Sequence, residues 1–342
     1  MHAHCGSIRP LERTGRRLRL LSGATLLAPL ALMPAAPPAW ANLVITPTFD
    51  SSITGDPNAA AIEGTINTAI NTYESDFTDP INVTIDFKEM ATGLGQSNTT
   101  LYKINYSDFY NALVADAKSA NDATALAHLP NGSAPGSTNP VTGSTTINVK
   151  TADLKALGFN GASFPPIGGF DGVIGLNTSI TTPGSPGSSL QYSLLATTEH
   201  EIDEVLGLGS DLGQSNPFFN DPAPEDLFRY ASTGARSYTT NPSAQAFFSI
   251  DGTTDLAQFD NQNDGGDWGD WQSNPLPPGV LPKVQDAFAT PGANPALGVE
   301  LVALDVIGYD PATQVAVPEP GTMALLGTSL LGLVALRRRR RT

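Results

Sequence analysis

The sequence predicts an α+β fold, in which a small mixed sheet packs against one long amphipathic helix and an irregular C-terminal lobe follows. Strand patterns and helix patterns follow one another without the strict alternation of a doubly wound fold. One helix pattern carries the motif H-E-x-x-E, and the chain after this helix is rich in glycine, proline and other loop-forming residues.

Two strands and a helix are predicted at the start of the folded body. Residues 43–49 (LVITPTF) and 81–90 (INVTIDFKEM) alternate apolar and polar side chains, which is typical of half-buried strands. Between them, residues 58–77 place apolar side chains at helical spacing. Strand, helix and strand therefore follow one another within the first 50 residues of the body.

The middle of the body predicts further helices and short strands. Residues 106–129 read as one or two helices, with Ser107 as the N-cap. Short strands are predicted at residues 146–149 (TINV) and 170–177 (FDGVIGLN), and a last short element at residues 298–310.

Residues 1–41 have the three parts of a secretory signal peptide. Residues 9–19 supply five arginines, residues 20–33 are mostly apolar, and Ala39-Trp40-Ala41 is a small-x-small cleavage signature. We therefore expect cleavage before Asn42 and an exported mature protein.

Residues 317–341 form a second segment with three parts. The motif Val317-Pro318-Glu319-Pro320 precedes an apolar run over residues 321–336, and five arginines follow at residues 337–341. A spanning helix needs about 20 apolar residues, and terminal arginines stay on the cytoplasmic side. The run over residues 321–336 therefore predicts a marginal, transient membrane anchor.

This tail resembles the PEP-CTERM sorting signal of Gram-negative bacteria, which an exosortase-type enzyme processes. The resemblance implies a protein of the cell envelope or the extracellular space, anchored to the inner membrane before it is processed. A sorting and processing enzyme of exosortase type is therefore an expected partner.

The body between the two end segments is strongly acidic. The chain has 18 Lys and Arg against 33 Asp and Glu; ten basic and two acidic residues lie in the end segments, so 8 and 31 remain. Such a body repels nucleic acid, which is excluded as a partner. The only cysteine, Cys5, lies in the signal peptide, which excludes disulfides and cysteine metal ligands in the mature body.

The helix pattern over residues 191–206 separates an apolar face from a polar one. At 100° per residue, six side chains share an arc of about 120°, while His200 and Glu204 lie opposite, one turn apart. The arc consists of Leu194, Leu195, Thr198, Ile202, Val205 and Leu206. We expect the arc to pack on the sheet and the opposite face to line a cleft.

This face has the chemistry of a catalytic zinc site. Such a site takes three protein ligands and a water, and His200 and Glu204 supply two ligands at a spacing of four residues. Glu201 is placed to act as general base on the water. For the third ligand Asp211 is the first choice, and Asp221, Glu225 and Asp226 are the alternatives. On the bare pattern alone, a His-Glu pair on a solvated face of an acidic helix is the default interpretation.

The order of further motifs resembles exported bacterial metalloproteases of the zincin type, and the wider metzincin clan. The segments that carry this resemblance are HEIDEVLG, EDLFRYASTGARSY, AFFSIDG, GDWGDW and LDVIGYD. Glu204 and Ser210 depart from the clan's second and third ligand positions. The resemblance places Phe228 in the turn beneath the metal, makes Tyr230 an aid to the transition state, and makes residues 170–177 the edge strand that aligns a peptide substrate.

A glycine-rich loop further along suits calcium, because hard oxygen ligands on a flexible loop bind this ion. The segment from Asp260 to Gly265 begins like an EF-hand loop, although Trp271 stands where the bidentate glutamate should be. The possible calcium ligands are Asp260, Asn263, Asp264, Asp267 and Asp270.

These observations together predict a zincin-like metalloprotease domain over residues 42–312. Its predicted function is zinc-dependent hydrolysis of peptide bonds in a protein or peptide substrate. The alternative is a non-catalytic envelope or extracellular-matrix protein sorted by an exosortase-type system, which the missing second histidine favours.

Overall fold

The computed structural model describes residues 42–184, 190–214 and 220–312, so the predicted signal peptide and C-terminal segment lie outside them. Helices and strands alternate irregularly, which confirms the predicted α+β class. The strands are β1 (Val44–Phe49), β2 (Asn82–Glu89), β3 (Gly95–Thr99), β4 (Leu101–Asn105), β5 (Thr146–Lys150), β6 (Gly172–Leu176), β7 (Thr181–Thr182), β8 (Tyr192–Ser193), β9 (Arg229–Tyr230), β10 (Phe247–Phe248) and β11 (Ala257–Gln258).

Seven α-helices accompany these strands among the described residues. They are α1 (Ser51–Thr54), α2 (Ala59–Asp76), α3 (Tyr106–Asp116), α4 (Ala120–His128), α5 (Thr151–Ala156), α6 (Leu194–Leu206) and α7 (Val299–Ile307). None of the described helices is both long and apolar enough to cross a membrane.

A four-stranded mixed sheet is the platform of the fold. Its order is β1-β2-β6-β3, in which β1, β2 and β6 run parallel and β3 runs antiparallel at one edge. The expectation that residues 170–177 form the edge strand is therefore wrong, because β6 pairs with a neighbour on each side. The edge belongs to β3, a polar segment with little of the alternation that marks a strand in a sequence.

Helix α6 packs against this sheet and against α2. Its start is capped by Ser193, whose hydroxyl accepts from the Ala196 backbone N–H at 3.1 Å. Tyr73 of α2 donates its hydroxyl to the Glu199 carbonyl oxygen at 2.7 Å. Gly172 of β6 lies so close to α6 that a Cβ atom there would stand 2.3 Å from Val205 Cγ2. The Val205 side chain of the helix therefore packs directly on the backbone of β6.

Most predicted elements are present, with shifted ends. The segment 106–129 forms two helices, and Ser107 lies inside α3 rather than at its N-cap. The side-chain cap belongs instead to Ser119, which forms a capping box with Asp122 at the start of α4. Helix α3 instead begins at Tyr106 after the N-cap Asn105, and the Tyr106 backbone N–H donates to the Thr145 carbonyl oxygen.

Buried carboxyl groups surround the contact between α4 and α7. Asp305 accepts from the Ser119 hydroxyl at 3.0 Å and from the Asn121 amide at 2.8 Å. Burial is the largest cause that raises the pKa values of Asp79, Asp116 and Asp305, each to about 7. The acidic composition thus extends into the interior and is not confined to the solvated surface.

We expect Gly172→Ala to lower the free energy of unfolding by about 1–3 kcal/mol, because the added methyl group overpacks the contact with Val205. Gly64→Ala in the exposed face of α2 is the matched control, since no atom lies within 4 Å of its Cβ position. This control should raise stability by about 0.5–1 kcal/mol. Denaturant unfolding of both variants checks the signs, and a neutral Gly172→Ala contradicts the packing.

The metal-free protein should unfold at a lower temperature at pH 8 than at pH 5. The folded state keeps protons on Asp79, Asp116 and Asp305 up to about pH 7, whereas the unfolded chain releases them near the ordinary aspartate pKa of 3.8. The folded state binds more protons between these values, so stability falls as pH rises through this window. Thermal scans in chelator test this. Asp305→Asn should flatten the slope, and a slope unchanged by this substitution argues against the assignment.

Candidate metal centre

A cavity of about 790 Å³ lies between α6, β3 and the C-terminal loops. Helix α6 contributes His200, Glu201 and Glu204 to its wall, as the helical wheel predicts, while the apolar arc of this helix is turned to the core. The edge strand contributes Gly95-Gln96-Ser97, and the C-terminal loops contribute residues 265–267, Asp270, 282–284 and 286–290 among others.

Three ligand atoms converge on this cavity. His200 Nε2 lies 3.9 Å from Glu204 Oε1 and 3.8 Å from Asp270 Oδ2. All three atoms lie within 4.8 Å of one another, and no other group of three or more such residues is present among residues 42–184, 190–214 and 220–312. Asp270 is therefore the third member of this cluster, a position for which the sequence offered only other candidates.

Asp270 reaches His200 because two glycine backbones touch. A Cβ atom on Gly269 would stand 2.5 Å from Gly209 Cα and 2.6 Å from the Ser210 backbone nitrogen, so no larger residue fits without a shift. The buried Arg229 holds the same loop through its hydrogen bond to the Trp268 carbonyl oxygen. The turn after α6 and the loop of Asp270 thus form one packed unit.

Each ligand side chain is also held through its second polar atom. His200 Nδ1 lies 3.0 Å from the Val284 carbonyl oxygen. Glu204 Oε2 accepts from the Ser97 hydroxyl at 2.6 Å, and Asp270 Oδ1 accepts from the Gln285 amide at 2.9 Å. His200 Nε2, Glu204 Oε1 and Asp270 Oδ2 then face one another, and Gln285 Nε2 also lies 3.4 Å from His200 Nε2.

The electrostatics of this cluster suit a cation. Burial by itself lowers the pKa of His200, but the carboxylates of Asp270, Glu201 and Glu204 raise it to about 10. Burial also raises the pKa of Asp270 to about 8. For Glu201, burial and then the Glu204 carboxylate raise the pKa well above its usual range. Without a metal, a proton on His200 offsets part of this negative charge.

The residues present fit a divalent ion. Ligand atoms bound tetrahedrally at about 2.0–2.2 Å lie about 3.4 Å apart. The two distances from His200 Nε2, 3.8 and 3.9 Å, exceed this by about half an ångström, and the three groups lie within 4.8 Å of one another. One imidazole and two carboxylates give a neutral set with a divalent cation. Zinc accepts this donor set, and so do harder ions such as Mn²⁺.

The structure does not bring Asp211, the expected third ligand, to this cluster. After α6 ends, the Gly209 backbone N–H donates to Glu225 Oε2 at 2.6 Å, and the Asp211 N–H donates to Asp226 Oδ2 at 3.2 Å. These contacts draw the turn away from His200, and the Asp211 carboxylate instead accepts from the Asn148 amide at 2.7 Å.

The alternative third ligands also have partners of their own. Asp221 pairs with Lys103 at 2.7 Å and accepts from the Thr146 hydroxyl. Glu225 and Asp226 accept from the turn that follows α6. Their sequence positions suggested ligands, but their contacts support the backbone on which the site rests.

Tyr230 lies in β9 and not along the cavity. Its side chain is buried, the Arg236 guanidinium lies 4.7 Å from the centre of its ring, and Gly252 packs against the ring edge. Phe228 packs its ring against Phe248 at a centroid distance of 6.4 Å. The expected aid to the transition state is therefore not among the residues that line the cavity.

The glycine-rich loop does not form one oxygen cage. Asp270 belongs to the cluster with His200 and Glu204, Asp267 lines the cavity, and Asp264 accepts from the Gly266 backbone N–H. Asn263 is exposed, whereas Asp260 is buried and accepts from the Gln262 N–H. Binding of Ca²⁺ at this loop stays a prediction.

Sequence reasoning missed the parts of the site that lie far apart in the chain. Gly95, Ser97 and Gln285 belong to no motif, and Asp270 was assigned to the calcium loop. A signal for Asp270 was available: it is followed by Trp271, a fully buried anchor whose indole N–H donates to Glu300 at 3.0 Å. A carboxylate beside such an anchor is held in a fixed position.

Among known proteins, residues 316–340 match the PEP-CTERM protein-sorting motif. The match confirms the sorting signal and implies an exported protein of the cell envelope that an exosortase-type enzyme processes. No curated protein and no solved structure matches the chain.

Lys150→Met should destabilise the C-terminal turn of α6. The Lys150 ammonium group donates to the carbonyl oxygens of Glu204 and Leu208 at 2.6 Å each, and losing both charged hydrogen bonds should cost about 2–3 kcal/mol. Amide hydrogen exchange in residues 200–208 should accelerate. The exposed Lys88→Met is the control and should leave exchange unchanged; equal protection in both variants contradicts this role of Lys150.

Proposed function

We propose that the protein is an exported, metal-dependent endopeptidase of the zincin type. The observation that carries the proposal is the convergence of His200 Nε2, Glu204 Oε1 and Asp270 Oδ2 on one cavity, with Glu201 in the same wall. Glu204 thus replaces the second histidine of the peptidase motif without loss of a ligand. The expected zinc set changes in one member, since Asp270 takes the place of Asp211.

His200, Glu204 and Asp270 would hold the ion, and Zn²⁺ is the proposed metal. A bound divalent ion supplies Lewis acidity, which acidifies water and polarises a carbonyl group near neutral pH. The two carboxylates of the shell donate more negative charge than two histidines would. The site is therefore expected to accept Mn²⁺ or Co²⁺ as well.

Glu201 is the proposed general base. Its Oε1 lies close to the backbone of Gly95, where a Cβ atom would stand 2.2 Å away, so only glycine leaves room for this carboxylate. A carboxylate between the metal ligands and the edge strand is placed to take a proton from water and pass it to the leaving amine. Burial, and then the Glu204 carboxylate, raise its pKa above the usual range, which makes the carboxylate a stronger base.

The edge strand β3 is the proposed binding site for substrate backbone. Among the described strands it pairs with β6 only, and Gly95, Gln96 and Ser97 line the cavity. An extended peptide could add to this edge through main-chain hydrogen bonds, which favour peptides over compact small molecules. The sequence assigned substrate alignment to residues 170–177, and we propose it for β3 instead.

Asp270→Asn and Asp211→Asn distinguish the proposed metal shell from the one expected from sequence. Asp270→Asn should lower bound Zn²⁺ well below one per chain, whereas Asp211→Asn should leave it unchanged. Glu201→Gln should keep the metal and reduce peptidase activity by at least about 10²-fold, the scale of acid-base catalysis. Metal analysis and cleavage of casein or gelatin by the full-length protein provide the measurements.

Two outcomes would overturn this proposal. A wild-type protein that retains no divalent ion argues for the non-catalytic envelope protein, since that alternative needs no metal. A protein that binds metal and loses it equally in both aspartate variants points to a different shell. In either case the sorting signal at residues 316–340 is unaffected.

A further inference from the structure

The second polar atom of each proposed ligand, the one that does not face the other ligands, forms a hydrogen bond whose direction depends on the ligand type. An imidazole that binds a metal through one nitrogen carries a proton on the other, so its remote atom is a donor. A carboxylate that binds a metal through one oxygen has only an acceptor left. A site with one histidine and two carboxylates therefore needs one remote acceptor and two remote donors.

The acceptor lies behind His200. Its Nδ1 is 3.0 Å from the carbonyl oxygen of Val284, which can only accept. In the neutral imidazole that a metal requires, this contact would place the proton on Nδ1 and leave the lone pair on Nε2, the atom that faces Glu204 and Asp270.

One donor lies behind Glu204. The Ser97 hydroxyl donates to Glu204 Oε2 at 2.6 Å, across 107 positions in the sequence. This bond uses the outer oxygen of the carboxylate and directs Oε1 towards His200 Nε2. The serine comes from the edge strand β3, so the strand and the metal ligand are joined side chain to side chain.

The other donor lies behind Asp270. Gln285 Nε2 donates to Asp270 Oδ1 at 2.9 Å and lies 3.4 Å from His200 Nε2. The glutamine is fully buried, and its backbone is fixed on both sides: its N–H donates to Glu300, and its carbonyl oxygen accepts from the Trp271 N–H. An amide held in this way leaves Asp270 Oδ2 as the free ligand atom.

We infer that Ser97 and Gln285 are positioning residues that allow carboxylates to serve as metal ligands in this helix motif. Replacing a histidine ligand with glutamate reverses the hydrogen bond that its remote atom needs, from an acceptor to a donor. Ser97 supplies this donor for Glu204, and Gln285 supplies it for Asp270. This inference rests on the proposed metal site and extends it to two residues that no sequence motif contains.

Ser97 also links substrate and metal. A peptide added to β3 would pair beside the residue whose side chain orients Glu204. Binding of backbone at the edge strand should therefore stiffen a metal ligand, and loss of the hydroxyl should affect the metal even when no substrate is present.

Four variants of the full-length protein test the inference through the metal itself. Ser97→Ala removes the donor and Ser97→Thr retains it, while Gln285→Glu keeps the size but turns an acceptor towards Asp270. Ser75→Ala is the matched control, since its hydroxyl donates to Thr72 on the exposed face of α2. The measurements are the Zn²⁺ dissociation constant by chelator competition and the visible absorption spectrum of the Co²⁺ form.

Ser97→Ala and Gln285→Glu should each weaken Zn²⁺ binding by about 10–100-fold, the usual effect of losing such a partner. Their Co²⁺ spectra should shift, because the ligand field changes with carboxylate orientation. Ser97→Thr should bind like the wild type, and Ser75→Ala should change neither quantity. A thermal unfolding curve of each metal-free variant separates loss of fold from loss of orientation.

The possible outcomes distinguish a failure of this inference from a failure of the proposed metal site. A wild type without affinity for Zn²⁺ overturns both. A wild type that binds Zn²⁺ while Ser97→Ala and Gln285→Glu bind equally tightly overturns the inference alone. Ser97→Thr that binds as weakly as Ser97→Ala also overturns it, because the hydroxyl would then not be the cause.

Discussion

The burial of one face of α6 against the sheet is the constraint on which the rest of the structure depends. Ile202, Val205 and Leu206 are fully buried, and Gly172 lets β6 approach them at backbone distance. A helix seated in this way cannot rotate without exposing its apolar arc. The opposite face, with His200 and Glu204, is therefore held towards the cavity.

The second constraint is the acidity of the body. An interior rich in carboxyl groups must neutralise them, pair them or give each a donor, since unpaired buried charge is costly. Near α7 the solution is a raised pKa, as for Asp305. Near β5 it is an ion pair, as between Lys103 and Asp221. At the cavity the acids gather around His200, where a divalent cation would complete the neutralisation.

The fold could be predicted where side-chain periodicity is strong. The alternation of β2 and the helical spacing of α2 and α6 are local, so these elements lie close to where the pattern places them. The edge strand β3 escaped prediction because Gly95 to Thr99 is polar and takes its place through its partner β6. The assignment of the edge to residues 170–177 was wrong for the same reason. The position of a strand in a sheet depends on its partners and cannot be predicted from the residues of that strand alone.

The sequence by itself determined the C-terminal sorting signal, the acidic body and the placement of His200 and Glu204 one helical turn apart, because each depends only on neighbouring residues or on composition. Only the tertiary structure decided that Asp270 and not Asp211 completes the cluster. The physical reason is that a turn five residues from a ligand can still be drawn away, here by Glu225 and Asp226. A loop 70 residues away can be brought in when Gly269 lets two backbones touch.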